Sequence, residues 1–110
     1  MSKKYVKYGD EEQEREFRGM RSHLLYTEED TPIPGCVSLV HVITSTEYTP
    51  EQAHEDNEGF FVARGSGTFR LDGNEYPLKP GCAMYAPAGM MHAMKSDGSE
   101  MEVFVYHFPA

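Results

Sequence analysis

Gln52, His54 and Glu58 lie in the polar stretch PEQAHEDNEGF, residues 50 to 60. An imidazole offers a nitrogen lone pair, a carboxylate an anionic oxygen, and a carboxamide a neutral oxygen. Together they make a donor set that a divalent cation accepts, and they equally suit an ordinary solvated loop. In an extended strand, residues two apart share a face, about 7 Å apart along the chain. Gln52, His54 and, with gentle bending, Glu58 can therefore point the same way. A further imidazole must come from elsewhere. The stretch APAGMMHAM offers His92, just after a proline-glycine turn. To reach His54 it needs a sheet that curls on itself.

The surrounding segments read as such a sheet. CVSLVHVITSTEY is rich in Val, Ile and Thr, and GFFVARG is a short apolar run ending in glycine. Both have strand composition. GTFRLDGNEYPLKPG reads as a strand, an Asp72-Gly73 turn, a second strand and a Pro80-Gly81 turn. Asp-Gly between alternating apolar residues marks a hairpin, because both central turn positions need positive φ. CAMYAPAGMMHAM carries two short strands around Pro87 and Gly89, and MEVFVYHF is a last strand. Closely spaced short strands predict an all-β sandwich or small barrel. Upstream, TEEDTPIPG reads as a loop, MRSHLLY as an early strand, and the acidic run from Asp10 to Glu16 as a solvated arm or short helical turn.

Bulk properties narrow the function. The chain has 110 residues, the length of one domain over residues 1 to 110. Its net charge of −8 argues against nucleic acid, which demands clustered Lys and Arg, and against an anionic membrane surface. No apolar run approaches a membrane span, and no apolar stretch follows the N-terminal lysines, so a cytoplasmic location is expected. The two cysteines, Cys36 and Cys82, form no CxxC and are expected as free thiols.

With these residues in hand, the chain resembles the cupin superfamily. His54, Glu58 and Gly65 stand at the second histidine, the glutamate and the closing glycine of that family's first motif. Gln52 replaces its first histidine, and Thr46 its opening glycine. Gly81, Pro87, Gly89 and His92 stand in register with the second motif, with Ser96 in place of its asparagine. The segment GSGTFRLDGNEYPLKPG looks like the hairpin between the motifs. The resemblance covers residues 36 to 108, leaving residues 1 to 35 as an arm and an early strand. It implies a cupin-type double-stranded β-helix, a jelly-roll barrel of two antiparallel sheets. It also implies one divalent transition metal (Fe, Mn, Ni or Zn) on His54, Glu58 and His92, with Gln52 as a fourth ligand or as the partner of a metal-bound water. Two imidazoles and a carboxylate are the set of non-haem Fe(II) oxygenases, which keep coordination positions open. A Gln-x-His pair is similar to that of some phosphomannose isomerases, which use zinc.

The remaining candidates carry less. His23, His41 and His107 have no motif support and are read as structural or exposed. Arg64 is read as capping a turn. Tyr48, Tyr85 and Tyr106 are read as packing with hydroxyls at the rim. Alternation puts Met90 and Met94 on the face of His92, which predicts a largely apolar cavity wall. It also separates Phe104, Tyr106 and Phe108 from Val103, Val105 and His107 on the last strand. The resemblance implies a metal-dependent enzyme acting on a small molecule, foremost an oxidoreductase of dioxygenase type, with Glu58 doubling as proton acceptor. The alternatives are a non-redox isomerase or lyase on a sugar-like or hydroxy-acid substrate, and a non-catalytic binding or sensory module. A homodimer is expected, since covering an exposed sheet edge is favourable.

Overall fold

The segments whose composition reads as strand form strands in the computed structural model, which describes residues 5–17 and 20–110, with residues 52 to 56 the exception. Nine strands follow in order: β1 Glu14–Phe17, β2 Met20–Leu24, β3 Val37–Ile43, β4 Asn57–Arg64, β5 Gly67–Leu71, β6 Asn74–Leu78, β7 Ala83–Ala86, β8 His92–Ser96 and β9 Met101–Phe108. A single 3-10 turn covers Gly9–Glu11, within the acidic arm. Among the described residues no helix is long and apolar enough to cross a membrane. Cys36 and Cys82 are both free.

The strands make two antiparallel sheets, ordered β1-β2-β3-β9-β4-β7 and β6-β5-β8. This is the all-β, two-sheet jelly-roll architecture of a cupin barrel. The β5–β6 hairpin turns at Asp72 (φ 49°) and Gly73 (φ 81°), as the Asp-Gly signal requires. Gly65 closes the β4–β5 corner at φ 77°, and a Cβ there would sit 2.6 Å from the Glu100 carbonyl oxygen. Only glycine meets both demands.

The core lies between the sheets. Along β9, Met101, Val103 and Val105 are fully buried, and Glu102, Phe104 and Tyr106 alternate outward. Phe60 of β4 meets Phe69 of β5 across the interior, ring centroids 5.3 Å apart. Such a pair adds about 0.5–1.5 kcal/mol beyond its buried area. Met94 is 4% exposed and belongs to this core, and Met91 is exposed. Outside, the aromatic residues of β9 form a ladder: Tyr106 stacks on Phe108 at 5.9 Å, and Phe108 on Tyr85 at 6.2 Å. Gly59 leaves room for the Tyr106 ring to lie across β4.

One local expectation is corrected and another sharpened. Residues 52 to 56 are not a strand: Gln52 makes an isolated bridge to His92, and β4 begins only at Asn57. Tyr48 packs as expected, but between cations and outside the cavity lining. Its ring is flanked by Arg70 at 4.1 Å and Lys95 at 4.6 Å, and its hydroxyl donates to Glu75 Oε2 at 2.8 Å.

Candidate metal centre

Three elements deliver the candidate residues to one end of the barrel. Glu58 is the second residue of β4, where its neighbours across the sheet are His107 of β9 and Ala86 of β7. His92 opens β8. Its backbone exchanges two hydrogen bonds with Gln52: the Gln52 N–H donates at 3.1 Å, and the His92 N–H returns one at 2.9 Å. The His54 carbonyl accepts the Gly89 N–H at 2.8 Å, fastening the loop of the first motif to that of the second. Asn57 adds a clamp, its Oδ1 accepting the Tyr85 hydroxyl at 3.0 Å and the Ala88 N–H at 3.1 Å.

The side chains converge on Glu58. Its Oε1 lies 2.7 Å from His54 Nε2 and 3.0 Å from His92 Nε2. Both Glu58 and His92 are 3% exposed, whereas His54 reaches toward the opening. The His54 and His92 rings stand nearly perpendicular, centroids 5.2 Å apart. His92 is backed by Phe60 and Phe69, which keep water from its inner face.

The tautomer of His92 follows from its partners. Nδ1 lies 3.1 Å from the Met90 carbonyl, which can only accept, so Nδ1 carries the proton. Nε2 then carries a lone pair 3.0 Å from Glu58 Oε1 but off hydrogen-bond geometry, and this buried atom has no hydrogen-bond partner. Two acceptors facing each other at 3.0 Å repel unless a cation stands between them. Either a proton or a metal ion meets that need. Burial alone would lower the His92 pKa, but Glu58 and the Met90 carbonyl outweigh it, and the pKa is raised. Burial likewise pushes Glu58 upward, yet the imidazoles of His92, His107 and His54 hold it below the usual carboxylate range. The pocket therefore favours an anionic carboxylate with positive charge beside it. A nitrogen lone pair set by a carbonyl that holds the proton on the other ring nitrogen is also how metal-binding histidines are held. His54, Glu58 and His92 form a cluster that can hold a metal ion.

Beside the cluster opens a cavity of about 300 Å³. Gln52 lines it, and among the described residues its amide has no hydrogen-bond partner. The wall is mostly apolar in the surface it presents, as expected, but residues of polar type supply that surface, not methionines. Arg15, Glu16, Ser22, His41 and His107 line it with Leu39, and no methionine does. Alternation on β8 holds, but it turns Met94 into the core and not into the cavity. Arg15, Glu16 and Ser22 come from β1 and β2, so the segment read as an arm walls the site. His107, read from the sequence as structural or exposed, stands beside the cluster, its Nε2 3.4 Å from Glu58 Oε2. The signal was present: β9 sends Met101, Val103 and Val105 inward, and the next residue in that row is an imidazole. His41 fits its structural reading, buried with Nδ1 2.6 Å from the Ser22 hydroxyl. His23 sits near Glu14, outside the cluster. Arg64 pairs with Glu100 and Glu102 on the surface.

Fold and site together define a small β-barrel with a cluster able to hold a metal ion, and the family model for the cupin domain matches residues 38–108. The chain belongs to the cupin family. No curated protein sequence matches it. Among solved structures, it is similar to a predicted oxalate decarboxylase from Thermotoga maritima: TM-score 0.85, 15% identity, 96% of this chain and 99% of that one. It is also similar to a Cupin 2 conserved barrel protein from Salinispora arenicola, with TM-score 0.81, 18% identity, and 99% and 92% coverage. The DMSP lyase DddQ from Ruegeria pomeroyi gives TM-score 0.76 and 19% identity, over 88% of this chain and 56% of that one. At these identities the likeness is one of fold.

Proposed function

We propose that this chain is a metal-dependent enzyme acting on a small, carboxylate-bearing molecule, foremost by dioxygenase-type chemistry. The observation that carries the reading is the buried Glu58 carboxylate facing a tautomer-locked, unpartnered His92 Nε2. His54, Glu58 and His92 would hold one divalent ion (Fe, Mn, Ni or Zn), with the Gln52 amide oxygen beside it. When bound, such an ion supplies a Lewis acid and a template for substrate and oxygen at its open positions. The chain's own residues do the rest. Phe60 and Phe69 keep water from the inner side of His92. Arg15, which has no ion-pair partner among the described residues, offers a guanidinium to a substrate carboxylate at the cavity wall. Glu58, with Oε2 turned toward His107, is the group positioned to accept a proton. A 300 Å³ cavity takes roughly ten water-sized groups, which limits the substrate to a small acid.

The test is anaerobic loading with Fe(II), followed by oxygen-uptake measurements on a panel of small keto, hydroxy and aromatic acids. Uptake that His92→Ala abolishes supports the reading, and no uptake across the panel refutes the dioxygenase form. A non-redox lyase or isomerase is the second reading. The neutral Gln52 donor favours it, and two of the similar structures are described as a predicted decarboxylase and a lyase. Turnover with bound zinc that is unaffected by removing oxygen would select it. A metabolite bound tightly and recovered unchanged would instead select the non-catalytic binding module. The reading includes a single cytoplasmic domain and a homodimer. The exposed aromatics Phe61, Tyr85 and Tyr106 on the outer sheet are the apolar surface that supports dimerisation, and light scattering checks it.

A further inference from the structure

The cavity wall built by β1, β2 and β3 holds a row of polar side chains that the cation cluster does not use. Arg15 stands opposite Ser22 in the β1–β2 ladder, and Ser22 opposite His41 in the β2–β3 ladder. The same row continues through Val103 of β9 to Val62 of β4, both fully buried, so it faces the interior of the barrel. Two residues to either side along β2 and β3, the inward positions are Met20, Leu24, Leu39 and Ile43. On these two strands only the row of Ser22 and His41 turns polar, and it lines the cavity. Both residues are buried, and their side chains meet at 2.6 Å between Oγ and Nδ1. A buried hydroxyl–imidazole pair does little more for the fold than two apolar side chains of the same shape would. Burial also keeps that imidazole neutral, its pKa lowered to about 4.

Directly opposite residues hold their Cβ atoms about 4.5–5.5 Å apart, close enough for both side chains to reach one small anion. Arg15 offers N–H donors and has no ion-pair partner among the described residues. Glu16 borders the cavity too, but the β1–β2 register sets it opposite Arg21 and not Ser22. Ser22 has one proton to give. A carboxylate only accepts, so beside it His41 Nδ1–H donates to Ser22 Oγ, and the Ser22 hydroxyl donates to the ligand. We propose that Arg15 and Ser22 form a carboxylate subsite in the cavity wall, that His41 is the positioning residue that turns the Ser22 hydroxyl into it, and that the substrate is a small dicarboxylate, with one carboxylate here and the other at the metal. The inference rests on the metal reading above. It deepens the role of Arg15, because the guanidinium supplies charge and Ser22 supplies a donor held in one place by its neighbour.

The experiment measures malonate binding to the zinc-loaded protein by calorimetry, together with zinc retention and the thermal unfolding midpoint. Wild type is compared with Ser22→Ala, Ser22→Thr, His41→Leu and His41→Asn. The proposal expects Ser22→Ala and His41→Leu to weaken malonate binding by about 10-fold, the worth of one hydrogen bond to a charged group. Ser22→Thr keeps a hydroxyl and His41→Asn keeps an N–H donor to it, so both should stay within about threefold of wild type. All four variants should retain zinc as wild type does. A purely structural role for the pair moves the unfolding midpoint and leaves malonate affinity within about twofold in Ser22→Ala, and that result overturns the proposal. So does a zinc-loaded wild type that binds no malonate, or a Ser22→Thr protein as weak as Ser22→Ala. Weak binding by Ser22→Ala with wild-type affinity in His41→Leu supports the subsite and overturns the positioning role of His41. A wild type that retains no zinc defeats the metal reading, and malonate is then titrated into the metal-free protein. Binding there that Ser22→Ala weakens supports the subsite, and binding that it leaves unchanged overturns it.

Discussion

His41 ties the stability of the fold to pH. It sits on β3 opposite Ser22 of β2, is 5% exposed, and shares a 2.6 Å hydrogen bond with the Ser22 hydroxyl. Burial, reinforced by His107 and opposed by Glu58, lowers its pKa from 6.5 to about 4. The unfolded chain therefore binds the proton first as pH falls. Below the unfolded pKa of 6.5 the folded state loses stability, and the loss continues until the folded pKa near 4 is reached. The full shift corresponds to about 3 kcal/mol, of which a little under half is lost by pH 5.5 and most by pH 4.5. The assay is urea unfolding of metal-free protein at pH 7.5, 5.5 and 4.5, for wild type and His41→Asn. Asparagine keeps a polar partner for Ser22 and does not titrate. The carboxylates and the other histidines contribute to both proteins, so the difference in pH dependence isolates position 41. Wild type should lose about 1 kcal/mol more than the variant between pH 7.5 and 5.5. Parallel pH profiles would refute the reasoning.

Three further outcomes follow from the packing and the cavity. Phe60→Ala removes a ring that is 1% exposed and contacts both Phe69 and His92, and should cost about 3–5 kcal/mol in denaturant unfolding. Gly65→Ala forces a side chain onto a residue with φ 77° and against the Glu100 carbonyl, and should cost more than the roughly 1 kcal/mol of the strained backbone alone, read as a lower unfolding midpoint. Arg15→Gln in the zinc-loaded protein should weaken calorimetric binding of a small dicarboxylate such as malonate by about 10-fold, the worth of one charge-assisted contact. It should leave metal affinity unchanged.

How much of this was legible in the sequence depends on the range of the signal. The Asp72-Gly73 hairpin and the two alternating faces of β9 are written in neighbouring residues and were readable, but which face of β9 turns inward was not. His54, Glu58 and His92 were readable because proline and glycine fix their loops in a register that the family model also matches. The cavity wall was not. Arg15 and Ser22 reach it through the pairing of β1 with β2 and of β2 with β3, which no local pattern announces. The methionines misled for a related reason: alternation gives the face of a strand, but not whether that face meets the core or the cavity at a given height. His92 meets the cluster, and Met94, two residues on, meets the core. His107 stands at the corresponding boundary on β9, the last inward residue after Met101, Val103 and Val105. In a lone strand it is indistinguishable from a surface histidine. The 52–56 segment could be a loop and still deliver His54, because backbone hydrogen bonds from Gly89 and His92 hold it in place.

The central claim is that side chains from two distant loops grip one cation inside the barrel. Elemental analysis after loading with a slight excess of zinc and desalting tests it most directly, on wild type and His92→Ala. The account predicts one zinc retained per wild-type chain and essentially none by a variant that still folds. Equal retention by the two proteins, or none by either, would contradict it.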